Sequence, residues 1–161
     1  MPRPGSAHTA PPNGEIDAIL ARHAGREGPM LPILHDIQAA FGHVPEAAVL
    51  RIAEALNLGR AEVHGIVSFY HDFRDRPAGR HVLRLCRAEA CQAQGAAEVE
   101  AATLRLLGIG YGETTPDGAV TLEPVYCLGL CACGPSAQLD GALHGRVDAA
   151  RIEALLAEGT A

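Results

Sequence analysis

The sequence predicts an α/β protein in which a short helical segment precedes a domain of strands and helices. Two patterns support this prediction. Apolar residues recur at helical spacing between about residues 15 and 70, whereas from residue 81 short apolar runs alternate with helical stretches. The sequence Arg-Pro-Ala-Gly-Arg at 76–80 separates the two patterns and is typical of a turn. We therefore expect a disordered, proline-rich tail at 1–14, a helical segment at 15–76 and an α/β domain at 77–161.

Four helices are predicted in the helical segment. The first runs from Glu15 towards Gly25, and the second begins at Leu31-Pro32 and ends at Gly42, because proline is favoured in a first turn and glycine just after a last one. The third begins at Pro45-Glu46, and the fourth covers about residues 60–70. Their apolar faces consist of Ile16, Ile19, Leu20, Ile33, Leu34, Ile37, Phe41, Val49, Leu50, Ile52, Ala53, Leu56, Val63, Val67 and Tyr70.

The first half of the α/β domain contains two predicted strands and a helix. A strand at 81–85 leads into Cys86, and a helix at 96–107 ends at a glycine. A second strand follows at 120–125. Pro124 lies near the end of that strand, which predicts either a sheet edge or a strand terminus because proline cannot donate to a ladder.

The second half contains a hairpin and a last helix. One strand follows Pro135, and another is predicted at 142–147, with Asp140-Gly141 as the hairpin turn between them. A helix at 148–157 has Asp148 as its N-cap. The order strand–helix–strand–strand–strand–helix fits an α/β sandwich of the thioredoxin type, with cysteines in the loops at strand ends.

Composition narrows the classes of function. The chain has 161 residues, 48 % of them apolar, and a formal net charge of −6. Its 13 basic residues form no dense run, which argues against nucleic acid as a partner. The N-terminus lacks the apolar stretch of a secretory signal, and no segment has the length of a membrane span, so we expect a cytoplasmic protein without direct membrane contact. In that reducing compartment, cysteines are ligands or redox groups more often than disulfides.

Four of the five cysteines form two close pairs. Cys86 and Cys91 have C-x4-C spacing, and Cys127 and Cys131 have C-x3-C spacing. Four thiolates from two loops are typical of an iron–sulfur site, since ferric iron and sulfide require soft anionic ligands. A [2Fe–2S] centre with four thiolates is negatively charged and needs nearby N–H groups. We expect them from the glycine-containing loops, at Gly95, Gly129 and Gly134, with added positive charge from Arg87.

Other interpretations of the cysteines remain at this point. Structural zinc also uses four cysteines, but usually from C-x2-C knuckles. Buried inert cysteines and redox thiols are further alternatives. The fifth, Cys133, is either a ligand in place of Cys131 or a packed residue outside the site, and the paired spacing favours the second interpretation.

These motifs resemble a known family. Cys86-x4-Cys91 followed by Cys127-Leu-Gly-x-Cys131, with four helices in front, resembles the small thioredoxin-like [2Fe–2S] subunit of complex I, a module also found in NAD-reducing hydrogenases and NAD-dependent formate dehydrogenases. The resemblance covers about residues 15–157. Supporting stretches are Leu31-Pro-Ile-Leu, Val44-Pro, Ala61-Glu-Val-His-Gly-Ile-Val-Ser-Phe-Tyr and Leu122-Glu-Pro-Val-Tyr-Cys-Leu-Gly.

Within this family, Cys86-Arg-Ala-Glu-Ala-Cys91 and Cys127-Leu-Gly-Leu-Cys-Ala-Cys-Gly-Pro135 are most similar to the gamma subunit of the cytoplasmic, molybdenum-containing NAD-dependent formate dehydrogenase. The resemblance implies the ligands Cys86, Cys91, Cys127 and Cys131 for one [2Fe–2S] cluster, and Cys133 matches no ligand position.

The function that the resemblance implies is electron transfer in an oxidoreductase complex, without catalytic residues of its own. The partners would be a flavoprotein NAD-binding subunit with FMN and a molybdenum subunit that oxidises formate, with further iron–sulfur clusters on the partners. The equivalent subunit of complex I or of a NAD-reducing hydrogenase is one alternative, and a zinc-stabilised adaptor is another. The chain has no G-x-G-x-x-G after a strand and no Walker sequence, so we expect NAD and FMN on partner chains.

Overall fold

The computed structural model describes residues 13–159 and divides into two compact units, one ending at Pro77 and the other beginning at Ala78. Residues 1–12 of the predicted tail lie outside the described residues, and residues 13 and 14 are the first of helix α1. No helix among residues 13–159 is both long enough and apolar enough to cross a membrane.

The first unit contains the four predicted helices. They are α1 (Asn13–Arg22), α2 (Met30–Phe41), α3 (Glu46–Leu56) and α4 (Arg60–Phe69). Gly42 follows α2 with a φ of 73°, which confirms its role in ending that helix. The apolar faces meet in one core, whose completely buried members are Ile16, Leu34, Ile37, Ala48, Ile52 and Val63. Burial of these faces, more than helix propensity, stabilises helices as short as these.

The second unit is a mixed sheet with helices, which confirms the predicted α/β class. Its elements are β1 (His81–Cys86), α5 (Glu89–Gln92), α6 (Ala96–Leu107), β2 (Glu113–Thr114), β3 (Val120–Val125), a 3₁₀ turn (Cys131–Cys133), β4 (Ser136–Leu139), β5 (Ala142–Gly145) and α7 (Ala149–Gly159). The strand order is β2-β3-β1-β4-β5. β1 is parallel to β3, and the other neighbouring strands are antiparallel.

The core of this unit joins both long helices to the central strands. Leu83 of β1, Leu122 of β3 and Ile152 of α7 are completely buried in it, and Val99 of α6 is 7 % exposed. Alternate side chains of a strand point to the same face, so the apolar strand residues meet the apolar stripes of the helices. This core holds the ends of β1 and β3 in fixed positions.

Several turn and cap predictions are confirmed. Asp140 and Gly141 have φ values of 49° and 90°, as a tight hairpin turn with two left-handed residues requires. The Asp148 carboxylate accepts a hydrogen bond of 2.7 Å from the Arg151 N–H at the start of α7. The strand predicted at 142–147 is shorter, because β5 ends at Gly145.

Two short elements were missed, and the strand containing Pro124 is not an edge strand. α5 has four residues and β2 has two, which is too short for a periodic pattern. Pro124 lies near the end of β3, between β2 and β1, where β2 pairs only with Thr121 and Leu122. The strand-terminus interpretation of Pro124 is therefore the one that the structure supports.

Candidate metal centre

The two cysteine pairs meet at one edge of the sheet. Cys86 is the last residue of β1 and is in register with Val125, the last residue of β3. Cys91 lies in α5 directly after β1, whereas Cys127 and Cys131 lie in the connection from β3 to β4. Because β1 and β3 are parallel neighbours, their carboxyl ends and the segments that follow lie at the same edge.

Each pair has its two thiols close together. The Cys127 and Cys131 sulfurs are 3.8 Å apart, and Cys91 is near enough to the Cys86 thiol to lower the pKa of Cys86. In a tetrahedral thiolate site with metal–sulfur bonds of about 2.3 Å, two sulfurs on one metal ion lie about 3.8 Å apart. The spacing of the second pair therefore already fits two ligands of one tetrahedral metal ion.

The two pairs are also within electrostatic reach of each other. A hydrogen bond to Cys127 and the charge of that residue raise the pKa of Cys131, with smaller contributions from desolvation and from the charges of Cys91 and Cys86. The five cysteines form no disulfide. Thus four thiols converge on one region while remaining free to act as ligands.

The arrangement in two pairs distinguishes between kinds of centre. Among residues 13–159, no three His, Cys, Asp or Glu side chains form a group for one metal ion. A [2Fe–2S] cluster has two irons, each bound by two protein ligands, whereas structural zinc gathers four ligands around one point. The arrangement in two pairs is the one that a two-iron centre requires.

The first pair is buried and the second is exposed. Cys86 and Cys91 are only 4 % and 1 % exposed, whereas Cys127 and Cys131 are exposed. Burial opposes ionisation of Cys86, but hydrogen bonds, chiefly from the Ala88 N–H, outweigh it and lower the pKa of Cys86 below its ordinary value. The thiolate, which is the form that binds metal ions, is therefore favoured at a buried position.

The sequence predicts N–H donors to sulfur at Gly95, Gly129 and Gly134, and the structure shows one of them, at Gly129. The Gly129 N–H donates to the Cys127 sulfur at 3.3 Å, and the φ of 77° at Gly129 is one that glycine adopts without strain. Gly134 lies beside Cys91, whereas Gly95 is the N-cap of α6. Cys127 has a φ of 151°, which is rare for a residue with a Cβ and is typical of functional sites.

Arg87 does not supply its charge to the cysteines as predicted. Its guanidinium donates to the Glu100 carboxylate at 3.0 Å and lies 5.2 Å from the centre of the Tyr111 ring. Burial, and then the Glu100 carboxylate, raise the pKa of Tyr111 well above its ordinary value. The positive charge of Arg87 is therefore already paired with Glu100 on α6.

Two residues of the site were missed by the sequence analysis. The Ser136 hydroxyl, in a residue that is 2 % exposed, lies 3.4 Å from the Cys91 sulfur and contributes to the lowered pKa of Cys86. Gln94 donates to the carbonyl of Cys131 at 2.9 Å. Neither residue belongs to a motif, and the only available signal was its position close to a cysteine in the sequence.

Cys133 lies against the end of β5. It is the last residue of the 3₁₀ turn, and its carbonyl accepts a hydrogen bond of 2.6 Å from the Arg146 N–H. Its Cβ lies 3.0 Å from the position that a Cβ on Gly145 would occupy. Contact with the end of β5 supports the interpretation that Cys133 is not a ligand, which stays a prediction.

Comparison with known proteins gives consistent matches. A family model described as thioredoxin-like [2Fe-2S] ferredoxin matches residues 16–160. The chain is 39 % identical to a NADH-quinone oxidoreductase subunit of Rhizobium meliloti (strain 1021) over 142 residues, which are 88 % of this chain and 84 % of that protein. It is 32 % identical to the NADP-reducing hydrogenase subunit HndA of Solidesulfovibrio fructosivorans over 144 residues, which are 89 % of this chain and 84 % of that protein.

One solved structure shows the same architecture within a longer chain. The crystal structure of a NAD+-reducing [NiFe]-hydrogenase in the air-oxidized state matches with a TM-score of 0.69 and 26 % sequence identity. The match covers 82 % of this chain but only 23 % of that chain. The present chain thus corresponds to about a quarter of that hydrogenase polypeptide.

Proposed function

The chain belongs to the thioredoxin-like [2Fe–2S] ferredoxin family, and on this premise we propose that it is an electron-transfer subunit of an oxidoreductase complex. Cys86, Cys91, Cys127 and Cys131 are the proposed ligands of one [2Fe–2S] cluster. The observation that carries the proposal is the meeting of two thiol pairs at one sheet edge, with a sulfur separation of 3.8 Å in the exposed pair. When bound, such a cluster supplies one-electron oxidation and reduction.

The residues around the pairs have distinct roles in this proposal. The buried Cys86 and Cys91 anchor the cluster to the core, and the single Ser136 O–H donates to the Cys91 sulfur at 3.4 Å. The Gly129 N–H does the same for Cys127. These donors stabilise negative charge without a counter-ion. Because Cys127 and Cys131 are exposed, the cluster would be accessible for one-electron exchange at the protein surface.

The proposed partner is a flavoprotein NAD-binding subunit. Two of the relatives are named as subunits of a NADH-quinone oxidoreductase and of a NADP-reducing hydrogenase. Flavins exchange a hydride, which carries two electrons, with a nicotinamide and single electrons with other carriers, so a one-electron carrier beside FMN connects the two kinds of chemistry. A chain without a nucleotide-binding motif of its own is suited to that position.

The proposed parent complex is a NAD-dependent formate dehydrogenase, in which another subunit oxidises formate at a molybdenum cofactor and FMN reduces NAD. The support is the resemblance of Cys86-Arg-Ala-Glu-Ala-Cys91 and of the segment from Cys127 to Pro135 to the gamma subunit of that enzyme. Complex I or a hydrogenase is the second candidate, favoured by the names of the two relatives. The subunit's own chemistry is the same in each case.

The proposed docking surface for the flavoprotein is the helical segment. Among the described residues of this unit, four large apolar side chains are exposed: Leu50, Leu58, Phe69 and Tyr70. Phe69 is 73 % exposed at the end of α4 and contacts the Tyr70 ring edge to face, with ring centres 5.1 Å apart. Aromatic side chains are enriched where partners bind, and a stable contact buries at least about 1,000 Å².

Metal and sulfide analysis after anaerobic purification tests the cluster. We expect about two irons and two acid-labile sulfides per chain and a red-brown colour, as four thiolates in two pairs imply. A colourless chain with one zinc ion would replace the proposal with a zinc-stabilised adaptor.

Co-purification with the flavoprotein subunit tests the docking surface. Phe69→Asp should reduce recovery of the complex at least about tenfold while leaving the iron content unchanged, because it buries a charge in the contact. Leu106→Asp is the matched control, since Leu106 is 49 % exposed on α6 of the other unit. Loss of the complex with Leu106→Asp but not with Phe69→Asp would place the contact on the cysteine-bearing unit instead.

A further inference from the structure

The side chain of Gln94 joins the two segments that carry the cysteine pairs. Its amide nitrogen donates to the Ala90 carbonyl in α5 at 2.9 Å and to the Cys131 carbonyl at 2.9 Å. Ala90 precedes Cys91 of the buried pair, and Cys131 belongs to the exposed pair. One carboxamide therefore bridges two segments, and the Gln94–Cys131 contact joins residues that are 37 positions apart in the sequence.

The geometry uses the specific capacity of a primary amide. The –NH₂ group has two N–H donors that point in different directions, and here each of them has one carbonyl acceptor. Glutamate has no donor when ionised, and methionine has nearly the same length but cannot donate at all. Replacement by either residue removes both hydrogen bonds while keeping a side chain of similar size.

Gly134 makes the close approach of the loop to Gln94 possible. A Cβ at Gly134 would lie 2.9 Å from the Gln94 amide nitrogen and 3.4 Å from the Cys91 sulfur. The φ of −69° at Gly134 is accessible to any residue, so the requirement for glycine here comes from space and not from backbone conformation. Gln94, Cys91 and Gly134 thus pack against one another at the junction of the pairs.

We propose that Gln94 is a positioning residue that sets the distance between the buried Cys86/Cys91 pair and the exposed Cys127/Cys131 pair. The inference rests on the proposed function. Gln94 acts through the Cys131 carbonyl and is not itself a ligand. Without its two hydrogen bonds, the connection from β3 to β4 has more freedom, so that the exposed pair is held less well at the spacing that two bridged irons require.

The test compares Gln94 with Gln92 in the full-length chain. Gln92 is half-buried in the same turn, and its side chain makes no hydrogen bond within the described part of the chain, so Gln92→Met and Gln92→Glu are matched controls. We expect Gln94→Met to lose its cluster to excess chelator about tenfold faster than wild type, the effect of one or two hydrogen bonds. Gln94→Glu should lose the cluster faster still, and the rate of cluster loss in both Gln92 variants should stay within about twofold of wild type.

Two further readouts separate positioning from general destabilisation. The electron paramagnetic resonance spectrum of the reduced cluster should change in Gln94→Met and also in Gly134→Ala, which crowds the amide. Amide hydrogen exchange at 126–135 should be faster in Gln94→Met than in Gln92→Met. An unchanged spectrum together with wild-type rates of cluster loss and exchange would overturn the role of Gln94. Absence of iron from the wild-type chain would instead overturn the proposed function, and the exchange comparison would still decide whether Gln94 holds the loop.

Discussion

Replacing Ser136 with alanine should lower the reduction potential of the bound cluster. The Ser136 hydroxyl is buried, lies 3.4 Å from the Cys91 sulfur and contributes to the lowered pKa of Cys86. A hydroxyl that donates to a thiolate sulfur stabilises negative charge, and reduction adds one more negative charge to the centre. The hydrogen bond is therefore stronger in the reduced state, and its removal disfavours reduction.

The magnitude follows from the charges. A hydrogen bond to a charged group contributes about 1.5–3 kcal/mol. A centre of two ferric irons, two sulfides and four thiolates has a formal charge of −2, and reduction makes it −3, so the bond is strengthened by about half. The difference is about 1 kcal/mol, and because a tenfold change in equilibrium corresponds to about 59 mV for one electron, the expected shift is about 40 mV downwards.

A redox titration followed by electron paramagnetic resonance measures this shift in the full-length chain. Ser68→Ala is a suitable control, because the Ser68 hydroxyl donates to the Gly65 carbonyl of α4 in the helical unit. The control should leave the potential within about 10 mV of wild type, since the Ser68 hydroxyl donates to a neutral backbone carbonyl and not to a charged sulfur. A Ser136→Ala protein with full iron content and an unchanged or raised potential would contradict the reasoning.

Two further predictions concern ligand assignment and acid stability. Cys131→Ser should lose most of the iron and Cys133→Ser should keep it, because only Cys131 lies 3.8 Å from another cysteine sulfur; the reverse result in iron analysis would shift the ligand by two residues. Burial opposes ionisation of Asp140, but hydrogen bonds from the His81 ring at 2.7 Å and the Val82 N–H at 2.8 Å outweigh it and lower the pKa of Asp140. Asp140→Asn should therefore reduce the free energy of unfolding by about 0.5 kcal/mol at pH 7, a value discounted for solvent screening because the Asp140 side chain is 44 % exposed. The difference from wild type should shrink as pH falls below about 4, through the unfolded and then the folded pKa of the carboxyl group. Urea-unfolding midpoints between pH 3 and 7 measure this, and a difference that stays constant down to pH 3 would assign the loss to something other than the carboxylate.

Much of the local structure follows from the sequence itself. The apolar repeats of α2 and α3 predict those helices to within a residue or two, and the hairpin at Asp140-Gly141 has the left-handed residues that its type demands. The two cysteine spacings are likewise local. Such features depend on residues within a turn or two of each other, so periodicity and turn chemistry are sufficient to predict them. The ligand set itself stays a prediction from spacing and resemblance.

Only the tertiary structure decided how the two pairs meet and what surrounds them. The strand order places β1 between β3 and β4, and this order brings Cys86, Cys127 and Ser136 to one edge of the sheet. The burial of one pair and exposure of the other, the pairing of Arg87 with Glu100, and the bridge from Gln94 to Cys131 follow from that arrangement. The bonds made by Arg87 and by Gln94 join residues at least 13 positions apart in the sequence. No periodic pattern predicts them, because such contacts depend on how whole helices and strands pack around the core and not on the conformational preference of a short segment.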